Sequence, residues 1–230
     1  MSEIKLILGD CLEVMKSMPV DSVDLVITSP PYNLGNNHHT GNIRHTPYED
    51  NLPEDEYGYQ QLRILQEIYR VVSDGGSLFY NHKNRIKGGI SYTPYDWINK
   101  SSWYVKQELV WFNRSQNFDK IRFYPMTERV YWLAKHPETK LFNAINHHDL
   151  FNWTAVGTSK DHKRAFPETM VSDILQCFPD AKTILDPYCG SGTVGKVCKD
   201  MGRNFIGIEI SPEYYAIAQK RIANTQENLL

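Results

Sequence analysis

A glycine-rich turn close to the end of the chain constrains the fold more than any other feature. Gly190, Gly192 and Gly195 satisfy G-x-G-x-x-G directly after the apolar run Thr183–Leu185 and at the start of a helical pattern that reaches Met201. Glu209 lies at the end of the next apolar run, Asn204–Ile210. Such a turn lets backbone approach a ligand closely, aims a helix N-terminus at an anionic group, and sets a carboxylate where it can grip ribose hydroxyls. NAD, FAD and S-adenosylmethionine all meet that description. Only residues 193–230 follow Gly192, room for one further strand and helix, so a dinucleotide domain starting here could not be completed. The missing strands must come from the N-terminal half, in circularly permuted order. Asp186-Pro187 ahead of the glycines is also foreign to the dinucleotide fingerprint.

The N-terminal half supplies those strands. Ile4–Leu8, Val23–Thr28 and Ser77–Asn81 are short apolar runs bounded by Gly, Asp, Ser or Pro, the pattern of buried parallel strands. From about Glu54 to Val72, Tyr57, Gln61, Leu65, Ile68 and Val72 share one helical face, and Asp74-Gly75-Gly76 reads as a helix stop. Trp103–Asn113 and Arg129–Ala134, rich in Val, Tyr, Trp and Leu, predict an antiparallel strand pair at one end of the sheet. Their aromatics Trp103, Trp111, Tyr131 and Trp132 are read as sheet packing. Residues 136–163 have weak periodicity and predict an irregular insertion outside the core. Ser211-Pro212-Glu213 starts a last helix with a capping residue and Pro at its first position. With 230 residues and 41% hydrophobic content, the expectation is one domain over 1–230. Its fold class is α/β, with a mixed, mostly parallel Rossmann-like sheet of about seven strands flanked by helices.

The second constellation is Ser29-Pro30-Pro31-Tyr32, at the C-terminal end of the apolar strand Val23–Thr28, where open α/β sheets place ligand sites. Two prolines stiffen the backbone and remove N–H donors, leaving carbonyl acceptors beside the Ser29 hydroxyl and the Tyr32 ring. An exocyclic amine on a nucleobase is a poor nucleophile because its lone pair is delocalised into the ring. Acceptors around its two hydrogens, here Ser29 and the Pro30 carbonyl, favour a pyramidal nitrogen whose lone pair can point at an electrophilic methyl group. Tyr32 would stack on the base.

The balance of 25 Lys+Arg against 27 Asp+Glu, a net charge of −2, excludes a globally basic polyanion binder and makes any nucleic-acid surface local. Cys11, Cys177, Cys189 and Cys198 form no C-x-x-C pair and read as reduced thiols of a cytoplasmic protein. The start of the chain lacks a signal-peptide pattern, and no run of about 18 apolar residues occurs, so neither export nor a membrane span is expected. His38-His39 and His147-His148 lack a completing Cys or carboxylate set, and no metal is expected.

In motif content and motif order the chain resembles the permuted β-type DNA amino-methyltransferases of restriction-modification and orphan or phage modification systems, over nearly its whole length. The resemblance implies S-adenosyl-L-methionine as cofactor and DNA as partner, with adenine N6 or cytosine N4 as the methylated atom. It implies a catalytic role for Ser29, Pro30, Pro31 and Tyr32. It implies cofactor contacts from Asp186, Pro187, Tyr188, Cys189, Gly190, Ser191, Gly192 and Thr193, with Glu209 on the ribose and Asp10 on the adenine amino group. Lys163 to Glu168, including Phe166 and Pro167, is similar to the family's element along the cofactor's methionine end. The first catalytic position is Ser29, where adenine-specific relatives usually have Asp and cytosine-N4 relatives Ser, whereas the Tyr32-Asn33 continuation resembles adenine enzymes and tips the balance slightly to adenine.

A base that undergoes chemistry leaves the stack, and loops must hold the backbone. The candidates are Asn33, His38, His39 and Arg44 in the long polar stretch after the catalytic motif, Lys83 and Arg85 in the basic cluster His82–Lys87, and Lys163 in Lys160–Arg164. The resemblance implies that residues 136–163 are the short target-recognition segment. Its size leaves low specificity or completion by a homodimer as alternatives. A cognate restriction endonuclease would be linked only functionally. The competing readings are an RNA-base or protein-glutamine N-methyltransferase, a non-catalytic nucleic-acid-binding protein, and a dehydrogenase.

Overall fold

The computed structural model describes residues 2–34, 50–113, 122–142, 148–153 and 167–226. Among these, the main sheet has eight strands: β1 (Ile4–Leu8), β2 (Val23–Thr28), β3 (Val72–His82), β6 (Tyr104–Phe112), β7 (Thr127–Ala134), β8 (Leu150–Phe151), β9 (Thr183–Asp186) and β10 (Asn204–Glu209). Their order is β1-β10-β9-β2-β3-β7-β6-β8. The five strands from β1 to β3 run parallel, β7 is antiparallel to both β3 and β6, and β8 is parallel to β6. β9 and β10, late in the chain, sit between β1 and β2, which is the permuted assembly expected from the position of the glycine turn. A separate hairpin, β4 (Arg85–Lys87) with β5 (Ile90–Tyr92), was not expected; it turns on Gly88 and Gly89 at positive φ.

Period-two alternation divides the buried side chains between two faces. Leu25 and Ile27 of β2, with Phe79, Ile184 and Phe205, pack against α4 (Glu168–Cys177), α5 (Thr193–Asp200) and α6 (Pro212–Ala223). Val26, Leu78, Tyr80, Leu185 and Ile208 pack on the other face against α1 (Cys11–Lys16), α2 (Glu54–Val71) and α3 (Tyr95–Ile98). Each fully buried Leu, Ile or Phe contributes roughly 1.5–3 kcal/mol, so this three-layer core is what fixes the strand ends that carry the site.

Two expectations change. Asp74-Gly75-Gly76 does not precede a strand but lies inside β3, where the β2–β3 register shifts, and a Cβ on Gly76 would meet the Asp24 carbonyl at 2.7 Å. Residues 136–163 are not wholly outside the core either. Leu150–Phe151 pairs with β6, and Trp153 is buried, stacks on Phe151 and donates its indole N–H to Asp173. Aromatic burial and a paired N–H outweigh the weak periodicity that hid this strand. Trp103, Trp111, Tyr131 and Trp132 are all buried, as expected.

Candidate active site

The parallel strands β1, β10, β9 and β2 end side by side, and each delivers one polar group. Asp10 follows β1 and caps α1, its Oδ1 accepting from Glu13 N at 3.0 Å. Glu209 ends β10 and is buried; its two oxygens accept from Gly190 N and Ser211 N, both at 2.8 Å. Burial raises its pKa from the ordinary value. Asp186 ends β9 and is also buried. Desolvation pushes its pKa up to about 7, against two hydrogen bonds that favour the charged form, from Thr28 Oγ1 at 2.8 Å and Tyr188 N at 3.0 Å. Two carboxylates withheld from water beside a loop of backbone donors suit a ligand carrying a cationic group and hydroxyls.

The loop from Pro187 to Gly192 is held from both sides. Gly190 and Gly192 adopt positive φ, and a Cβ on Gly192 would meet the Ala218 backbone at 3.1 Å, so the turn is closed to larger residues. From α6, Arg221 donates to the Ser191 and Thr193 hydroxyls and to Glu168, which also pairs with Lys196. Pro167 starts α4 beside this network. Cys189 is buried under the loop, and Tyr188 packs against the core cluster that contains Cys11. Desolvation pushes the Cys11 thiol up to about 12, so it stays protonated and inert.

Ser29 follows β2 directly, and Thr28, one residue earlier, ties that strand to Asp186. Pro30 is buried, while Ser29, Pro31 and Tyr32 are half-buried. The Pro31 carbonyl accepts from the Tyr57 hydroxyl at 2.5 Å, and the same hydroxyl lies 2.7 Å from His82 Nε2. The Tyr32 ring centroid is 4.7 Å from that of His82, and Lys83 Nζ sits 5.5 Å from the Tyr32 ring centroid. The Tyr32 hydroxyl is 2.8 Å from Ser29 Oγ and donates to Glu128 Oε2 at 2.9 Å. Asn81 Nδ2, with two hydrogens to give, lies within hydrogen-bond reach of the Tyr32 hydroxyl, of Glu128 Oε2 at 3.1 Å and of Ser29 Oγ at 3.3 Å.

Thr28, Tyr57, Asn81, Glu128 and Arg221 had no local signal in the sequence. Glu128 sits between Thr127 and Arg129 at the polar start of β7, so no apolar alternation there marks the face that meets Tyr32.

Several expected DNA contacts are corrected. Arg85 is 2% exposed, pairs with Glu54 at 2.7 Å and stacks on Tyr57, so no phosphate can reach it. His82 is fully buried and desolvation lowers its pKa to about 3, leaving it neutral. Lys87 also pairs with Glu54. The cluster is a strand end and hairpin in which Arg85 turns inward, while Lys83 and Lys87, with side chains 28% and 35% exposed, are its partly accessible members. Asn33 is fully buried at φ 57, where its side chain exchanges hydrogen bonds with Leu52 and its backbone N–H is held by Asp50. It shapes the loop rather than touching a base, so the Tyr32-Asn33 argument for adenine rests on no base contact. His38, His39, Arg44, Lys163 and Phe166 lie outside the described residues. Among the described residues no group of three potential metal ligands occurs, and no helix is long and apolar enough to cross a membrane.

Known proteins share this fold. The chain is 28% identical to the type II methyltransferase M.ScaI of Streptomyces caespitosus, with 99% of this chain and 84% of the relative covered. Its fold matches the PvuII DNA methyltransferase (cytosine-N4-specific) with a TM-score of 0.78 and 22% identity, over 100% of this chain and 89% of the other. It matches M1.HpyAVI, solved as an S-adenosylmethionine complex, with a TM-score of 0.67 and 22% identity, over 95% and 98% of the two chains. The profile of the DNA methylase family aligns with residues 23–220, from the strand that carries Ser29 to the helix that clamps the glycine turn, and the chain belongs to that family.

Proposed function

We propose that the protein methylates an exocyclic amino nitrogen of a DNA base turned out of the helix, adenine N6 or cytosine N4, using S-adenosyl-L-methionine. The observation that carries this reading is the Thr28–Asp186 hydrogen bond. It joins the strand end bearing an amine-acceptor motif to the strand end bearing a buried carboxylate and a glycine turn.

The donor set fits the cofactor. Asp186 would hold the α-ammonium group, Glu209 the ribose hydroxyls and Asp10 the adenine amino group, with the 187–193 loop lying along the ligand and Pro167 at its methionine end. When bound, S-adenosyl-L-methionine supplies an electrophilic methyl on sulfonium. The chain's own residues do the rest. Ser29 Oγ and the Pro30 carbonyl accept the two amino hydrogens, and the Tyr32 ring holds the base plane. Lys83 is suited to a nearby phosphate. A target-reading role falls to the parts of 136–163 outside β8 and Trp153. By its likeness to M.ScaI, the protein acts as the modification half of a type II system, alone or as a homodimer.

Purified protein incubated with S-adenosyl-L-methionine and unmethylated genomic DNA should yield N6-methyladenine or N4-methylcytosine on nucleoside digestion and mass spectrometry, with single-molecule sequencing then giving the motif. Failure to form either nucleoside while the cofactor binds would overturn the DNA reading in favour of RNA. Tyr32→Ala is expected to lower single-turnover methylation by about 100-fold through lost stacking and orientation. Cofactor affinity, measured calorimetrically, should stay within about threefold, and an equal loss in both would remove Tyr32 from the base-holding role.

A further inference from the structure

We propose that Glu128 is a positioning residue that fixes the direction of a hydroxyl chain, Ser29 to Tyr32 to Glu128, so that Ser29 meets the target amino group as an acceptor and not as a donor. The inference rests on the amino-methyltransferase reading and explains how a serine, whose hydroxyl can face either way, serves it.

A serine hydroxyl both donates and accepts, so Ser29 alone cannot tell an amino group from a carbonyl. Its surroundings remove that ambiguity. Glu128 lies on β7, across the sheet from the β2 strand end, with its Oε2 at 2.9 Å from the Tyr32 hydroxyl. Asn113 Nδ2 donates to its Oε1 at 2.9 Å, Asn81 Nδ2 donates to Oε2 at 3.1 Å, and Lys83 Nζ lies 4.0 Å from Oε1. Each of these neighbours is a donor or a cation, matched to a carboxylate. A carboxylate has no hydrogen to give, so the Tyr32 hydroxyl must donate its own to Glu128.

The direction then propagates. With its hydrogen committed, the Tyr32 oxygen can only accept, and it does so from Asn81 Nδ2 and from Ser29, 2.8 Å away. Ser29 therefore spends its single hydrogen on Tyr32, and the Asn81 amide at 3.3 Å is a long contact that leaves lone-pair capacity on Ser29 Oγ. What Ser29 presents to a base is a lone pair. An amino group supplies a hydrogen to meet it, whereas a carbonyl oxygen at the same ring position would face it acceptor to acceptor. Sites built on such polar matching discriminate far more strongly than apolar pockets.

The substitution Glu128→Gln tests the direction, because an amide can give a hydrogen to Tyr32 as well as take one and so frees Ser29 to turn over. The probes are duplexes carrying the methylated motif with either the target base or its keto counterpart, hypoxanthine for adenine or uracil for cytosine. Binding is read by fluorescence anisotropy with S-adenosylhomocysteine, so that no turnover occurs. Wild-type protein is expected to prefer the amino duplex by about tenfold or more. Glu128→Gln should abolish or reverse that preference and lower single-turnover methylation by about 100-fold with cofactor affinity retained. Tyr32→Phe keeps the ring and breaks the chain, so the preference should fall close to unity, and this variant decides the matter if Glu128→Gln does not unfold cooperatively. The proposal is overturned if the variants keep the wild-type preference, or if wild-type protein that methylates the motif shows none. Absence of any methylated nucleoside with wild-type protein would instead remove the underlying reading.

Discussion

Replacing Asp186 with Asn is expected to stabilise the ligand-free protein at pH 8 while removing most of its affinity for S-adenosyl-L-methionine. The Asp186 carboxyl is buried, with a pKa raised by desolvation to about 7. In the unfolded chain it titrates at its ordinary value near 3.8. A carboxyl whose folded pKa is raised holds its proton more tightly when folded. Its contribution to stability is therefore fully present below about 4, declines as pH rises, and is lost above about 7. The ionised group costs at most about 4 kcal/mol at pH 8, by the free energy of each pKa unit. An Asn keeps an Oδ1 acceptor for Thr28 and Tyr188 without the charge, so its melting temperature should exceed that of the wild type by a margin that opens between pH 4 and pH 7. Ligand binding should move the other way. The cofactor's ammonium group needs the carboxylate, so wild-type affinity should fall by up to about tenfold per pH unit below 7. The Asn variant should bind about 10- to 100-fold more weakly at pH 8 and lack this pH dependence. Differential scanning calorimetry across about pH 4–8.5 and titration calorimetry across about pH 6–8.5 measure the two effects; an Asn variant that binds like the wild type would remove Asp186 from the cofactor site.

The substitution Arg85→Ala is expected to act on stability and not on DNA contacts. Arg85 is buried against Glu54, with its guanidinium 4.5 Å from the Tyr57 ring centroid and 5.5 Å from that of Trp97. Removing it deletes an ion pair and a stacked cation, leaves Lys87 as the remaining cation on Glu54, and opens a gap beside Tyr57. The expected loss is about 3 kcal/mol, the low end for breaking a buried pair because Glu54 keeps one partner. In a domain of this size that lowers the melting temperature by roughly 6–12 °C. Because Tyr57 also holds the Pro31 carbonyl, activity should fall with temperature before the protein unfolds globally. The salt dependence of DNA affinity should not change. A slope reduced by about one with an unmoved melting temperature would restore Arg85 as a phosphate contact.

These two residues show where local reading succeeds and where it stops. The place of Asp186 at a strand end before the glycine turn was legible because strand, turn and helix signals are written in consecutive residues: a short apolar run, an Asp-Pro step and spaced glycines. Ser29–Tyr32 and the Ser211 cap with Pro212 were legible for the same reason, and the permuted order is seen in β9 and β10 lying between β1 and β2. Arg85 was misread because a run of cations looks solvated when its neighbours in space are unknown. The alternation that turns Arg85 inward becomes visible only once β4 is known to be a strand and Glu54 to lie beneath it.

The sequence by itself determined the α/β class, the parallel strands with their connecting helices, and the places of Ser29–Tyr32 and the glycine turn at strand ends, because each is set by interactions a few residues apart in the chain. Only the tertiary structure decided how the motifs are joined and oriented. Thr28 reaches Asp186 across 158 positions, Tyr32 reaches Glu128 across 96, and Asn81 reaches the same carboxylate across 47. Such hydrogen bonds exist because the core stacks β9, β2, β3 and β7 side by side. Strand order is settled by the collective burial of both sheet faces, and no single stretch of sequence carries that information.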